Sequence, residues 1–324
     1  MGRRVSIAEA AQLLRSHDKI LILCHRSPDG DTLGSGYGLL HTLQALGKTA
    51  RVDCADVIAE RYSYMFPQEV SDFEPEYVVA VDVADPKLLG ANEELWGDKV
   101  DLCIDHHGSN RDYAEHLLLE ADSAAACEVL YLVAKELGVE ITPLIADCFY
   151  NGIATDTGCF RYSNTSVRTH RIAAELMELG CHFQKINQLM FETKSRSQLA
   201  VEAEAMATLE YHYSDRCAMI TLTRDMVENN GASDDETEGL AALPRQIEGV
   251  WIGVTIKQMK DRTGYKFSLR STEEADASAI AAKLGGGGHA RAAGCSVKGD
   301  LLFARQAVLT AIAEHMGWEE EKVD

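Results

Sequence analysis

Lys19–Gly47 reads KILILCHRSPDGDTLGSGYGLLHTLQALG, and three textures follow one another within it. Lys19–Cys24 is an unbroken apolar run of strand length, the pattern of a strand buried on both faces. His25–Asp31 (HRSPDGD) is polar and bent by Pro28 and Gly30. Residues 32–46 then carry Leu33, Tyr37, Leu40, Leu43 and Leu46 at helical spacing and stop at Gly47. Strand, polar turn and helix open a βαβ unit, whose ligands bind beyond the carboxyl ends of the strands. His25, Asp29 and Asp31 at that turn suit a divalent cation. They suit equally an Asp-Gly turn with Asp31 as a helix cap.

The alternation continues outward. Thr49–Cys54, Tyr77–Val83 and Val100–Ile104 are further strands, and residues 123–137, 142–154 and 164–180 are helical. This predicts an α/β fold, a Rossmann-like parallel sheet with helices on both faces. Residues 192–212 (ETKSRSQLAVEAEAMATLEYH) read as one polar helix between two domains. The expected division is 1–190, a helical linker 191–212, and 213–324. In the last part, strands over 217–223, 250–258 and 265–270 and helices over 276–284 and 301–315 predict a smaller α/β domain. Glu319–Asp324 reads as a frayed acidic tail.

The 324 residues hold 31 basic and 51 acidic side chains, a net charge of −20, and 46% are hydrophobic. Such a composition is that of a folded globular chain. It argues against an extended basic surface for long duplex nucleic acid. No apolar run approaches the roughly 18–20 residues of a membrane span, and the first residues form an amphipathic helix pattern rather than an apolar signal block. The nine cysteines form no CxxC pair and lie mostly in apolar patterns. A reduced, cytoplasmic protein using them as small hydrophobes is expected.

Three more places repeat the chemistry of the first turn. An apolar strand ends in Asp82, with Asp85 beyond it; another runs into Asp105-His106-His107; a helix runs into Thr155-Asp156-Thr157-Gly158. Four such termini on one side of the domain predict a shared metal site. Together, HRSPDGD, Asp82, DHH and TDTG resemble the four motifs of the DHH phosphoesterases. Within these, the chain looks like the NrnA-type bifunctional oligoribonucleases (nanoRNases) and pAp phosphatases.

The resemblance implies two Mn²⁺ ions, with Mg²⁺ or Co²⁺ as substitutes. His25, Asp29 and Asp82 would hold one, and Asp31, Asp82, His106 and Asp156 the other, Asp82 bridging. Asp105 would orient an imidazole, and His107 would face the substrate phosphate. Oxygen-rich ligation with imidazoles and no cysteine agrees with Mn²⁺ rather than a thiolate zinc site.

In the second domain, Gly285–Gly294 (GGGGHARAAG) resembles the substrate loop of the DHH-associated domain. That likeness makes Gly286, Gly287, Gly288, His289, Arg291 and, on the strand Phe267–Ser271, Arg270 the candidate substrate-binding residues. Read alone, the same run is a flexible turn. Residues 251–298 carry eight basic and four acidic side chains, and 225–248 carry seven acids and one arginine. The first is expected to face an anion in an interdomain cleft, the second to be a solvated acidic face. Lys260 and Arg262 fit either a solvated turn or nucleotide contact. One departure stands out: Asp122–Glu128 (DSAAACE) keeps one hydroxyl where members often carry several.

The expected activity is a phosphoesterase that trims short oligoribonucleotides to mononucleotides and dephosphorylates pAp. A soluble cyclic-dinucleotide (c-di-AMP/pApA) phosphodiesterase would use the same residues, and a non-catalytic nucleotide-binding protein is the alternative from another class. The expected partners are short RNA or nucleotides, without long duplexes or membranes; a homodimer is left open.

Overall fold

The computed structural model describes residues 2–321, which form two compact units that divide between Thr193 and Lys194. The first begins with β1 (Arg3–Arg4), α1 (Ile7–Ser16), β2 (Ile20–Leu23), α2 (Gly30–Ala45) and β3 (Ala50–Asp53). It continues with β4 (Tyr77–Val81), α3 (Glu93–Trp96), β5 (Leu102–Asp105) and β6 (His116–Leu119). Four helices complete it: α4 (Ala126–Glu136), α5 (Pro143–Asp156), α6 (Val167–Glu178) and α7 (Phe183–Asn187). The strands pair in the order β1-β6-β5-β4-β2-β3, every pair parallel. The order reverses between β2 and β4, so their carboxyl ends form the crevice where open α/β sheets place ligands.

Alternation along the strands divides the core. Ile20, Ile22, Val79, Val81 and Ile104 face the cluster built by α1, α2, α4, α5 and α6. Leu21, Leu23, Val78, Ala80 and Cys103 face the other side, where Leu89, Trp96 and Val100 cover them. That second face is covered by the short helical segment 86–96, so its helices are much shorter than those on the first face.

The seam between α2 and α5 brings the site together. Gly30, Gly34 and Gly38 recur every fourth residue along α2, on one face of the helix. A Cβ on Gly34 would strike the Cys148 carbonyl of α5, and one on Gly152 of α5 would strike Cys127 and lie 2.6 Å from Asp31 Oδ1. The two helices therefore touch backbone to backbone.

The second unit holds α8 (Arg196–Met206), β7 (Glu210–His212), β8 (Cys217–Leu222), α9 (Arg224–Asn229), β9 (Ile252–Gln258) and β10 (Gly264–Ser271). α10 (Ala277–Ala282), β11 (Gly287–His289), β12 (Ala292–Lys298) and α11 (Leu301–Met316) follow. Its sheet runs β11-β12-β10-β9-β8-β7, antiparallel except for β8 beside β9. α10 and α11 pack on one face through Ile280, Val308 and Ile312.

The single helix expected over 192–212 is absent. Thr193 is extended, the Ser195 side chain caps α8 by accepting from Gln198 N–H, and β7 follows α8. Val201 and Ala205 are buried with Ile220 and Leu222, so α8 is part of the second unit's own core. Its many charged residues masked these two inward positions. The expected tail is also partly tied: Glu321 accepts from Tyr213 N–H at 2.8 Å and lies 3.1 Å from His212 Nδ1. Residues 322–324 of that tail lie outside the described residues.

Gly34→Ala should destabilise the protein by about 1–3 kcal/mol, the usual cost of overpacking a tight core. Gly239→Ala, where an added Cβ meets nothing within 4 Å, should be near neutral in the same urea titration. Equal stability of the two variants would show that the seam tolerates a side chain.

Candidate metal centre

His25 leaves β2, and its Nδ1 lies 2.8 Å from the Arg26 carbonyl, so Nε2 points inward. That nitrogen is 3.6 Å from Asp29 Oδ1 and 3.6 Å from Asp82 Oδ2. Asp29 is the N-cap of α2, accepting from Asp31 and Thr32 N–H, which makes Asp29 rather than Asp31 the capping residue. Asp31 is buried in the first turn, and both its oxygens accept from the N-terminus of α4, at Ala126 N–H (2.6 Å) and Cys127 N–H (3.0 Å). The segment 122–128, sparse in hydroxyls, thus meets the site through its backbone. Its Ser123 carbonyl lies 3.1 Å from His106 Nδ1, and the Ser123 hydroxyl accepts from Arg168.

Asp82 ends β4 with a positive φ of 58°, a left-handed conformation that costs energy for a residue with a Cβ. The turn leaves Asp82 Oδ1 buried and without a hydrogen bond, 3.5 Å from His106 Nε2 and 3.4 Å from His107 Nδ1. His106 Nε2 also lies 3.5 Å from Asp156 Oδ2 at the end of α5 and 3.8 Å from Asp31 Oδ2. Asp105 is fully buried and stands behind the His107 imidazole. It accepts from the backbone N–H groups of His106 and His107, from Asn110 at 2.6 Å, and pairs with His107 Nδ1 at 2.9 Å. Asp85 lies outside this group, capping the next turn and pairing with Arg111 at 2.8 Å.

Three sets of donor atoms are close enough to share an ion: His25, Asp29 and Asp82; Asp31, His106 and Asp156; and Asp82, His106 and His107. The donors are oxygens and imidazoles, with no thiolate, as a hard or borderline divalent cation requires. Their electrostatics point the same way. Burial, then the Asp31 charge, pushes Asp82 up to about 7. Burial, then Asp31 and Asp82, pushes Asp156 up to about 9. Burial alone would lower His25, but its bonds to Asp29 and Asp82 carry it to about 11. The Asp105 hydrogen bond raises His107 to about 9. Without a cation, protons hold this cluster together; the orphaned Asp82 oxygen and the crowded carboxylates fit metal ions.

Sequence reasoning missed the supporting shell. Thr32 accepts from His25 N–H and donates to the Val81 carbonyl, tying the ends of β2 and β4. Asn164 donates to the carbonyls of Ala124 and Asp156. Asn164 stood in the sequence only as a helix-start signal.

In the second unit, the glycine run is a paired hairpin rather than a flexible turn. Gly287–His289 pairs antiparallel with Ala292–Gly294. Gly288 has φ +143°, and a Cβ on Gly286 would strike the Gly294 carbonyl, whereas Gly287 has open space beside it. His289 is exposed. Arg291 Nη1 donates to the Thr272 and Ala275 carbonyls at 2.8 and 2.6 Å, so part of this guanidinium secures the hairpin. Arg270 lines a cavity on the outer sheet face.

The acidic stretch 225–248 is not simply solvated. Asp234 pairs with Arg224, Lys257 and Lys260, and Asp225 and Glu228 pair with Arg262. Much of the basic excess of 251–298 is thereby neutralised within the unit.

Residues 19–153 match the DHH family, N-terminal domain, and residues 218–316 match the DHHA1 domain. The chain belongs to the DHH family. Among its relatives is the bifunctional oligoribonuclease and PAP phosphatase NrnA of Thermus thermophilus, 34% identical over 92% of this chain and 90% of that protein. The protein of the same name from Bacillus subtilis is 24% identical over 89% and 92%. A solved exopolyphosphatase-related protein from Bacteroides fragilis shares the fold, with a TM-score of 0.87 at 22% identity, each chain covered to 96%. Among the described residues, no helix is long and apolar enough to cross a membrane.

A raised carboxyl pKa means that the folded state holds a proton the unfolded chain has lost. Metal-free protein should therefore lose stability as pH rises from about 4 toward the values of Asp82 and Asp156. A cation must displace these protons and the one on His25, so its stabilising effect should grow with pH. Thermal unfolding with and without Mn²⁺ checks this: the rise in Tm should be larger at about pH 9 than at about pH 6. A pH-independent rise would place the ion elsewhere.

Proposed function

We propose that this phosphoester hydrolase cuts short oligoribonucleotides to mononucleotides and removes a phosphate from pAp, as a Mn²⁺-dependent cytoplasmic enzyme. The observation that carries the reading is the near-full-length likeness to the Thermus thermophilus protein, which spans both units. The convergence of His25, Asp29, Asp31, Asp82, His106 and Asp156 supports it from the side of chemistry.

His25, Asp29 and Asp82 would hold one cation, and Asp31, Asp82, His106 and Asp156 a second. Bound there, paired divalent ions lower the pKa of water and neutralise charge on a phosphoryl group. The chain's own groups do the rest. Asp105, fixed by Asn110, accepts a hydrogen bond from His107 Nδ1–H and leaves Nε2 free for the substrate. In the metal-free cluster that hydrogen bond raises His107 to about 9, which favours a proton on Nε2 as well. His107 can hydrogen-bond a phosphoryl oxygen or give its proton to the leaving oxygen. In the second unit, Arg270, His289, the open side of Gly287 and the free part of Arg291 are the groups for gripping nucleotide.

A Mn²⁺ assay with a diribonucleotide, pAp, cyclic-di-AMP and pyrophosphate side by side tests the reading. The first two should turn over fastest; preferential cleavage of cyclic-di-AMP would replace it with the cyclic-dinucleotide activity. Asp82→Asn should lower kcat by at least about a thousandfold, since one carboxylate serves both cation positions. Binding of nucleotide without turnover of any phosphoester would make the protein a binder.

A further inference from the structure

The face of the second sheet opposite α10 and α11 carries a cavity of about 590 Å³, floored by Lys266, Ser268 and Arg270 of β10, Ser296 of β12 and Lys257 of β9 and walled by Asp234, Thr237, Glu238 and Ala241. On β10 the buried Tyr265, Phe267 and Leu269 alternate with Lys266, Ser268 and Arg270. The three outward residues therefore stand in a row about 7 Å apart. Their cross-strand neighbours on β12 are Ser296, Gly294 and Ala292, all small, so the floor beside the row is flat. The cations are not equally engaged. Asp234 holds Lys257 at 3.1 Å and Lys260 at 2.6 Å. The Lys266 ammonium has no hydrogen bond or ion pair among the described residues.

A row of cations and hydroxyls at regular spacing beside a flat floor matches an extended single strand. Phosphates repeat along one edge of such a strand at a similar interval, and riboses and bases lie to one side. We infer that the outer face of β10 is a track for the phosphates of a single-stranded oligonucleotide, with Lys266 as the contact farthest from Arg270. This rests on the oligoribonuclease reading and adds a length preference to it. Arg270 and Lys266 are four residues, or about 14 Å, apart along the strand. The two phosphates of pAp or of a 5′-phosphorylated dinucleotide cannot span that distance. Three or more nucleotides can, so Lys266 is a specificity-determining residue that favours the longer substrates.

The test is steady-state hydrolysis of di-, tri- and pentaribonucleotides by the wild type, Lys266→Ala and Lys266→Arg, with the pentamer repeated across a salt series. In Lys266→Ala the ratio of pentamer KM to dimer KM should rise about tenfold, the scale of one charge-assisted hydrogen bond, and arginine should restore it. The salt dependence of pentamer KM should weaken by about 0.7 in log–log slope, one phosphate contact on a single strand. Lys266 is exposed, so the substitution leaves the core untouched. An unchanged KM ratio would overturn the track and leave the oligoribonuclease reading standing. A wild type that cuts none of the three lengths would overturn both.

Discussion

The first unit depends on two helices being allowed to touch. Glycines every fourth residue on α2, met by Gly152 on α5, remove the side chains that normally hold helix axes 8–10 Å apart. That approach carries Asp31 from the start of one helix to within reach of His106 and Asp156 at the end of the other. A larger residue in the seam would widen the gap between ligands contributed by different parts of the chain. The sheet supplies the remaining donors from strand ends that its parallel order already aligns.

Crowding the donors sets up the electrostatic problem that the site uses. Buried carboxylates raise one another's pKa, and the protein relieves this only in part. The N-terminus of α4 stabilises Asp31, and His25 and His107 stand as cations beside Asp29 and Asp105. Asp82 is left with a bare oxygen facing the imidazoles of His106 and His107, in a backbone conformation that a non-glycine residue adopts at a cost. Strain and unsatisfied charge meet at one residue, as they do where a fold has been shaped around a ligand.

The strands β2, β3, β4, β5, β8, β9 and β10, the main helices and the six converging donors were legible because each follows from a short local pattern: an apolar run, a helical repeat, a polar residue at a strand end. What was not legible depends on distant residues. β6 follows β5 in parallel with no helix between them, so the usual alternation offered no signal. The left-handed turn at Asp82 has no sequence marker, because aspartate is not glycine. α8 looked like a connector since only Val201 and Ala205 carry its packing. The acidic stretch 225–248 looked solvated because most of its cationic partners lie on β9 and in the turn beyond it. Thr32, Asn110 and Asn164 are ordinary polar residues until the ligands they hold are in place.

The hairpin at Gly287–His289 has a further effect on the protein's solution behaviour. β11 is the outermost strand of its sheet, and a free strand edge invites pairing with another chain. This edge is three residues long, and two of them are glycines that offer no side chain for a docking strand to pack against. At the opposite edge, the Tyr213 N–H beyond β7 is taken by Glu321. Edge-to-edge growth of this sheet is thus disfavoured at both ends, and self-association through strand addition would have to begin by disturbing one of them.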